Sequence, residues 1–537
     1  MKRLLVIASA LLVTQAAQGE GIENGVPLKW TVMPNTGQTL SQLTDFRFLP
    51  DGRAVITEKT GRVLLRSTAG ALTVAGSFPV DTDSEKGLLG VEVHPSFASN
   101  GRLFFYYSRS DATGGTDANR HRVVSIVLKS DGTLDTATET ILVQNLEGPA
   151  NHDGGGLAVG PDGKLYIGVG DTGSNCSCAP GTAANNGTAN TYGSCLSKGN
   201  AKILRVNLDG TIPSDNPLVG VAMATACGAD ATTAVSASVT AAPRTDIWAW
   251  GFRNPFRLSF DPKSGNLFAG DVGEVTWEEV NIVQKGKHYG WPWREGPAGM
   301  DAGMCETITP GSGPCAAPLF SCNHMDGDCS SITGGVVVDS CHWPASLRDI
   351  YIYGDSTSGT STVAAIKLNS AHDALQGANP KTTLGNLQGG GRFPVSFQVG
   401  ADGDVYVLAA SYTGGTNRLY KLSPVTPVAC PGGPDGGADS GVDAGAGVDA
   451  GAMVDAGLDA GVSSDAGGLA DAGPVPTGDS GVVVDAGVND SGSAVPSDGG
   501  GPAVNAPAGC GCGAAPTGAL LLSLFAALAW TSRRRRA

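Results

Sequence analysis

The chain has 537 residues, a net charge of −15 and only 16% charged residues, with Gly 79 and Pro 31. That length exceeds one ordinary core, the glycine and proline content implies many turns, and the acidic balance argues against a nucleic-acid partner.

At the N-terminus, Met1-Lys2-Arg3 supplies positive charge and Leu4–Val13 an apolar run too short to span a bilayer. Ala17-Gln18-Gly19 then supplies a small-residue cleavage site. This pattern predicts a signal peptide over 1–19 and export of the rest. Export permits disulfides. Of the 12 cysteines, ten lie between Cys176 and Cys430, enough for five bridges whose connectivity the sequence leaves open. Cys176-Ser177-Cys178 has no second close pair at zinc-like spacing, which favours disulfides over a metal site.

From Val26 to Leu422 one phrase recurs, a turn of Asp-Gly type followed by a short β-prone run. It appears as Leu49-Pro50-Asp51-Gly52, Gly160-Pro161-Asp162-Gly163 and Gly400-Ala401-Asp402-Gly403, and more loosely as Asp261 to Gly265. Asp131-Gly132 and Asp209-Gly210 are weaker copies. Asp-Gly suits tight hairpins that match strand twist. Many hairpins in a repeated unit, with almost no helical periodicity, predict an all-β, six-bladed β-propeller over residues 20–430. Its blades, at about 65 residues each, would be large for a propeller repeat.

Residues 431–509 hold 12 Asp and no Lys, Arg or Glu, with Asp-Ala-Gly recurring and no aromatics. Such a segment buries too little apolar surface to offset its ordering entropy, so a disordered, extended linker is expected. Residues 510–537 carry Cys510-Gly511-Cys512, an apolar run over Gly518–Trp530 and Arg533–Arg536. A short hydrophobic helix is expected there, with its arginines on the cytoplasmic side. This layout resembles the C-terminal sorting signals of myxobacterial surface proteins. The resemblance implies cleavage and surface anchoring near Cys510 or Cys512, and a permanent single-span anchor is the alternative.

Within the globular part, Asn151-His152-Asp153-Gly154-Gly155-Gly156 joins a histidine to a glycine run, and Asp171 follows the next strand. Histidine suits proton abstraction near neutral pH, and the glycines let a ligand approach the backbone. Other motifs accompany it: Gly87-Leu88-Leu89-Gly90-Val91-Glu92-Val93-His94-Pro95, Lys202 to Val206, Ser214-Asp215-Asn216-Pro217, and Trp250-Gly251-Phe252-Arg253-Asn254-Pro255-Phe256-Arg257. The last group is Gly270-Asp271-Val272-Gly273, Trp277 to Asn281, and Tyr289-Gly290-Trp291-Pro292. Taken together over about Val32–Leu422, these motifs resemble the soluble quinoprotein glucose/sorbosone dehydrogenases and the related Hedgehog-interacting-protein-like propellers.

The resemblance implies pyrroloquinoline quinone (PQQ) and calcium over the central channel, and oxidation of an aldose at C1 to the lactone. His152 would be the general base, Asp171 the acid that orients it, and Arg253 a catalytic cation beside the quinone. Arg253, Asn254, Glu85 and Asn151 would contact cofactor or sugar. The carbonyls of Gly273 and Glu274 would bind a bridging calcium, and Glu279 and Tyr289 a second one. The expected partner is a small sugar, with no nucleic acid, and the expected location is the cell surface or outer membrane. His94 and His342 read as structural.

Some residues depart from the enzymes' pattern. Asn151 replaces an acid, and the last-blade strand Phe393-Pro394-Val395-Ser396-Phe397-Gln398-Val399 carries only Arg392 nearby, where the enzymes place two arginines. The competing expectation is therefore a non-catalytic, surface-displayed binding module.

Overall fold

The computed structural model describes residues 27–430, except 112–118, 149–150, 172, 174–191, 228–238, 275, 298–302, 312, 327–328, 357–360, 378–379, 388–391 and 413–414. The expected signal peptide, linker and sorting segment, and the Cys176-Ser177-Cys178 pair, lie outside the described residues. Among those described, no helix is long and apolar enough to cross a membrane.

Six antiparallel blades form a closed ring. Their innermost strands are β1 Leu43–Phe48, β2 Leu88–Val93, β3 Leu157–Val159, β4 Pro255–Phe260, β5 Ile332–Val338 and β6 Arg392–Val399. Each contacts the innermost strand of the next blade, and β6 returns to β1. The ring is sealed by the N-terminal strand Leu28–Val32, which pairs antiparallel with Arg418–Pro424 as the outermost strand of blade 6. All-β six-bladed architecture is what the recurring turns predict.

The recurring turns have one structural job. In blades 1, 3, 4 and 6 they connect the innermost strand to the second strand. Gly52, Gly163, Gly265 and Gly403 there take φ of +81°, +68°, +72° and +72°, a left-handed conformation that glycine adopts without a Cβ clash. The aspartates add side-chain anchors. Asp162 Oδ2 accepts from the Tyr166 hydroxyl at 2.9 Å, and Asp402 Oδ2 from that of Tyr406 at 2.8 Å, so blades 3 and 6 repeat the same contact. Asp162 also pairs with Arg205, which reaches Asp215 and Asn216 as well. The Ser214 to Pro217 motif is thus tied to the scaffold.

The hydrophobic core is divided among the six seams between blades. Leu89, Phe104 and Tyr106 of blade 2 pack against Leu157, Ile167 and Trp250 of blade 3. The other five clusters join the remaining neighbouring pairs. Every blade therefore buries both faces, which fits the almost unbroken apolar runs of the strands.

Four disulfides are present among the described residues: Cys195–Cys227, Cys305–Cys315, Cys322–Cys329 and Cys341–Cys430.

Candidate active site

Residues from all six blades line one cavity of about 220 Å³, which therefore lies on the ring axis. Its position follows from the blade geometry. The lining residues stand just before an innermost strand (Glu85, His152, Arg253, Asn254, Ser331) or just after a second strand (Lys59, Gly273, Tyr412). In antiparallel hairpins those two positions share one end of the blade, so all of them converge on one mouth of the channel.

His152 is held in a left-handed conformation at φ +56°, which costs a residue with a Cβ roughly 1–3 kcal/mol unless its surroundings enforce it. Several contacts do so. The His152 backbone N–H donates to Glu85 Oε2 at 2.8 Å, the Gly154 N–H donates to Asn254 Oδ1 at 3.1 Å, and the Tyr106 hydroxyl donates to the Asp153 carbonyl at 2.8 Å. Asn151 Oδ1 accepts from the Ser84 hydroxyl.

The imidazole faces Asp171. His152 Nδ1 lies 2.6 Å from Asp171 Oδ1, and the other carboxylate oxygen accepts from Trp291 Nε1 at 2.8 Å. Burial opposes charge on Asp171, but the imidazole and the Arg253 guanidinium hold its carboxyl below the usual range. An ionised Asp171 can only accept, so Nδ1 carries the proton. Nε2 remains as the nitrogen with no partner among the described residues, on a side chain that lines the cavity.

Arg253 crosses the next wall. Its Nη1 donates to the carbonyls of Val272 at 3.0 Å and Gly273 at 2.6 Å, and the guanidinium lies 5.6 Å from the Trp291 ring centre. Its Nε is buried without a partner among the described residues. The Arg253 and Asn254 backbone N–H groups both donate to Asp271, whose carboxyl is driven well above its usual range by burial and by Glu279.

The expected calcium ligands separate into two places. The Gly273 carbonyl is already held by Arg253, so it offers a cation a shared oxygen beside a positive charge. The Glu274 N–H donates to Glu295 at 2.6 Å, and Glu274 is among the residues that line the cavity. Glu279 sits in a different setting. Its oxygens accept from Gly296 N and Asn281 Nδ2, and burial lifts its carboxyl to about 7. Asn281 Oδ1 is buried with no donor among the described residues. A buried carboxylate beside an unused amide oxygen fits a hard cation. The Tyr289 hydroxyl does not point to that role, because it donates to the Ile282 carbonyl and accepts from Gln284 N, both at 2.7 Å.

Several site contacts are not legible in the sequence, although Trp291 and Arg257 lie within its motifs. Trp291 buttresses Asp171 from 120 positions away, and Lys59 and Arg257 line the cavity. His121 Nε2 lies 2.9 Å from Asp153 Oδ1. No local pattern marks these contacts. Arg392 is excluded from the cavity, its guanidinium donating to the Thr416 carbonyl at 3.1 Å and the Tyr420 hydroxyl at 2.6 Å. His94 and His342 are structural, accepting from Ser96 N at 2.9 Å and pairing with Asp404 at 2.9 Å respectively.

Fold and site together define a six-bladed propeller with an aspartate-oriented histidine and an arginine at one mouth of its channel. A family model described as Glucose / Sorbosone dehydrogenase matches residues 40–302 of this chain. Quinoprotein glucose dehydrogenase B of Acinetobacter calcoaceticus is 29% identical over 255 residues, covering 45% of this chain and 48% of that protein. HIPL1 protein of Arabidopsis thaliana is 26% identical over 475 residues, covering 74% of this chain and 64% of that protein. The chain thus spans about half to two thirds of the length of these curated relatives. Among solved structures, the PQQ-bound form of Aldose Sugar Dehydrogenase from Streptomyces coelicolor superposes with a TM-score of 0.53 at 21% identity, covering 74% of this chain and 98% of that one. That likeness shows the fold.

Proposed function

We propose that the propeller is an exported quinoprotein sugar dehydrogenase that oxidises an aldose at C1 to the lactone. The observation that carries this reading is the convergence of Glu85, His152, Arg253 and Asn254 on one cavity, with His152 Nδ1 fixed by Asp171 at 2.6 Å. PQQ, when bound, supplies the two-electron acceptor. Lys59, Arg253 and Asn254 would hold it, since the cavity presents cations and an amide to an anionic quinone.

The chain's own residues do the proton work. His152 Nε2 takes the proton of the anomeric hydroxyl, and the oxygen's growing negative charge makes the C1–H bond a hydride donor. Asp171 keeps the imidazole in the tautomer that leaves Nε2 free and stabilises the imidazolium that forms. The buried Trp291 N–H fixes Asp171 in turn. Calcium fits best at Glu279 with Asn281 Oδ1, a structural position. The four disulfides agree with an oxidising compartment, and the C-terminal segment would hold the protein at the cell surface.

Purified protein reconstituted with PQQ and calcium should reduce a redox dye with aldoses. Absence of activity in the wild type, or unchanged activity in His152→Ala, overturns the proposal. A second reading, a propeller retained as a binding module, is favoured by Arg392, which is withdrawn from the cavity and leaves blade 6 with no cation there among the described residues.

A further inference from the structure

We propose that Lys59 is an anchor for a carboxylate of the cavity's ligand, facing Arg253 across the channel. This rests on the reading of the cavity as a PQQ site. Blades 1 and 4 are diametrically placed in a ring of six, and they bring Lys59 and Arg253 to the same mouth.

Among the described residues, the three cations that line the cavity differ in how fully they are engaged. Every donating nitrogen of Arg257 is spent on the scaffold: Nε on the Val395 carbonyl at 2.9 Å, Nη1 on that of Phe256 at 2.9 Å, and Nη2 on that of Thr44 at 2.6 Å. Arg253 is half spent, with Nη1 on two carbonyls and Nε unmatched. Lys59 makes one bond, from Nζ to the Thr82 carbonyl at 2.5 Å, which leaves two of its three N–H donors without a partner among the described residues.

Nor is its charge matched by a committed carboxylate. Four acids lie within electrostatic reach, Asp81, Asp83, Glu85 and Asp153. Asp81 is engaged by Lys86 at 2.7 Å and Arg120 at 3.2 Å, Asp153 by His121 at 2.9 Å, and Glu85 by the His152 N–H at 2.8 Å. Asp83 is exposed to water. Lys59 is thus a partly desolvated ammonium with open donors at the wall of a ligand-sized cavity. PQQ carries three carboxylates, and an ammonium so placed recognises one of them as a point charge.

The test is a PQQ titration of the full-length apo protein followed by quenching of tryptophan fluorescence, with no sugar present. Lys59→Met is expected to raise Kd about tenfold, the order of one charge-assisted hydrogen bond, and Lys59→Arg to stay within about threefold of wild type. Thermal melts verify folding. PQQ trimethyl ester titrated into the wild type must also bind more weakly, and this arm needs no variant to fold. Wild-type binding with an equal Kd in folded Lys59→Met overturns the role of Lys59 alone. No PQQ binding by the wild type overturns the cofactor reading and this one with it.

Discussion

His152 and Asp153 are adjacent in the chain, yet each belongs to a histidine–aspartate pair directed at a different part of the ring. His152 joins Asp171 beyond the second strand of its own blade at 2.6 Å, and Asp153 joins His121 of blade 2 at 2.9 Å. His121 Nδ1 in turn lies 3.1 Å from the Ser108 hydroxyl, which accepts from the Gly87 N–H at 3.2 Å. The strained segment is clamped from both sides.

The inner clamp is expected to be structural in its first effect. His121→Ala leaves the Asp153 carboxylate buried without its partner, so stability should fall by about 1–3 kcal/mol. Urea denaturation measures this. A midpoint unchanged from wild type would show that the pair does not hold the loop.

The outer clamp should control the chemistry instead. In Asp171→Asn the side-chain amide no longer enforces the Nδ1–H tautomer, so kcat/KM for an aldose should drop by roughly 10²–10⁴, the range of a lost general base. The apparent Kd for PQQ should stay near wild type. A loss confined to cofactor binding would assign Asp171 to the wrong task.

Calcium should act mainly on stability. Added to the apo protein it should raise Tm through Glu279 and Asn281, and chelation should reverse the gain. Glu279→Gln should abolish that calcium-dependent gain. A gain that persists in Glu279→Gln would move the ion elsewhere.

A pH dependence follows from Asp355, beside the cavity-lining Ser356. Burial, with the nearby Glu278 carboxylate, pushes its carboxyl from 3.8 up to about 8. Between those values the folded chain keeps a proton that the unfolded chain has released, so this group favours folding less as pH rises. Its contribution is fully present below pH 3.8 and is lost by about pH 8. Tm of Asp355→Asn, which stays neutral, should fall less than that of wild type between pH 5 and pH 8. Parallel pH curves would refute this assignment.

The blade plan was legible because it is written locally. Asp51-Gly52, Asp162-Gly163 and Asp402-Gly403 each fix the first turn of a blade with two residues. The glycine loop at His152 was equally visible. The partners that give these residues meaning were not, because ring closure brings together positions far apart in sequence. Trp291 meets Asp171, and Lys59 and Arg253 share one cavity, only once the ring has closed. Cysteine pairing stayed open for the same reason. Arg392 shows the converse limit, since its place in the sequence suggested the cavity while a local hydroxyl and carbonyl claim its guanidinium.

The Cys341–Cys430 bridge has a mechanical consequence. Residues 418–424 form the seam with the N-terminal strand, and pulling on the chain beyond them would peel that seam open strand by strand. The disulfide instead delivers tension at residue 430 to Cys341, in the loop of blade 5 between Ile332–Val338 and Ile350–Ser356. A covalent shunt of this kind takes load off that seam, so reduction should lower the force needed to unravel the propeller from its C-terminal end.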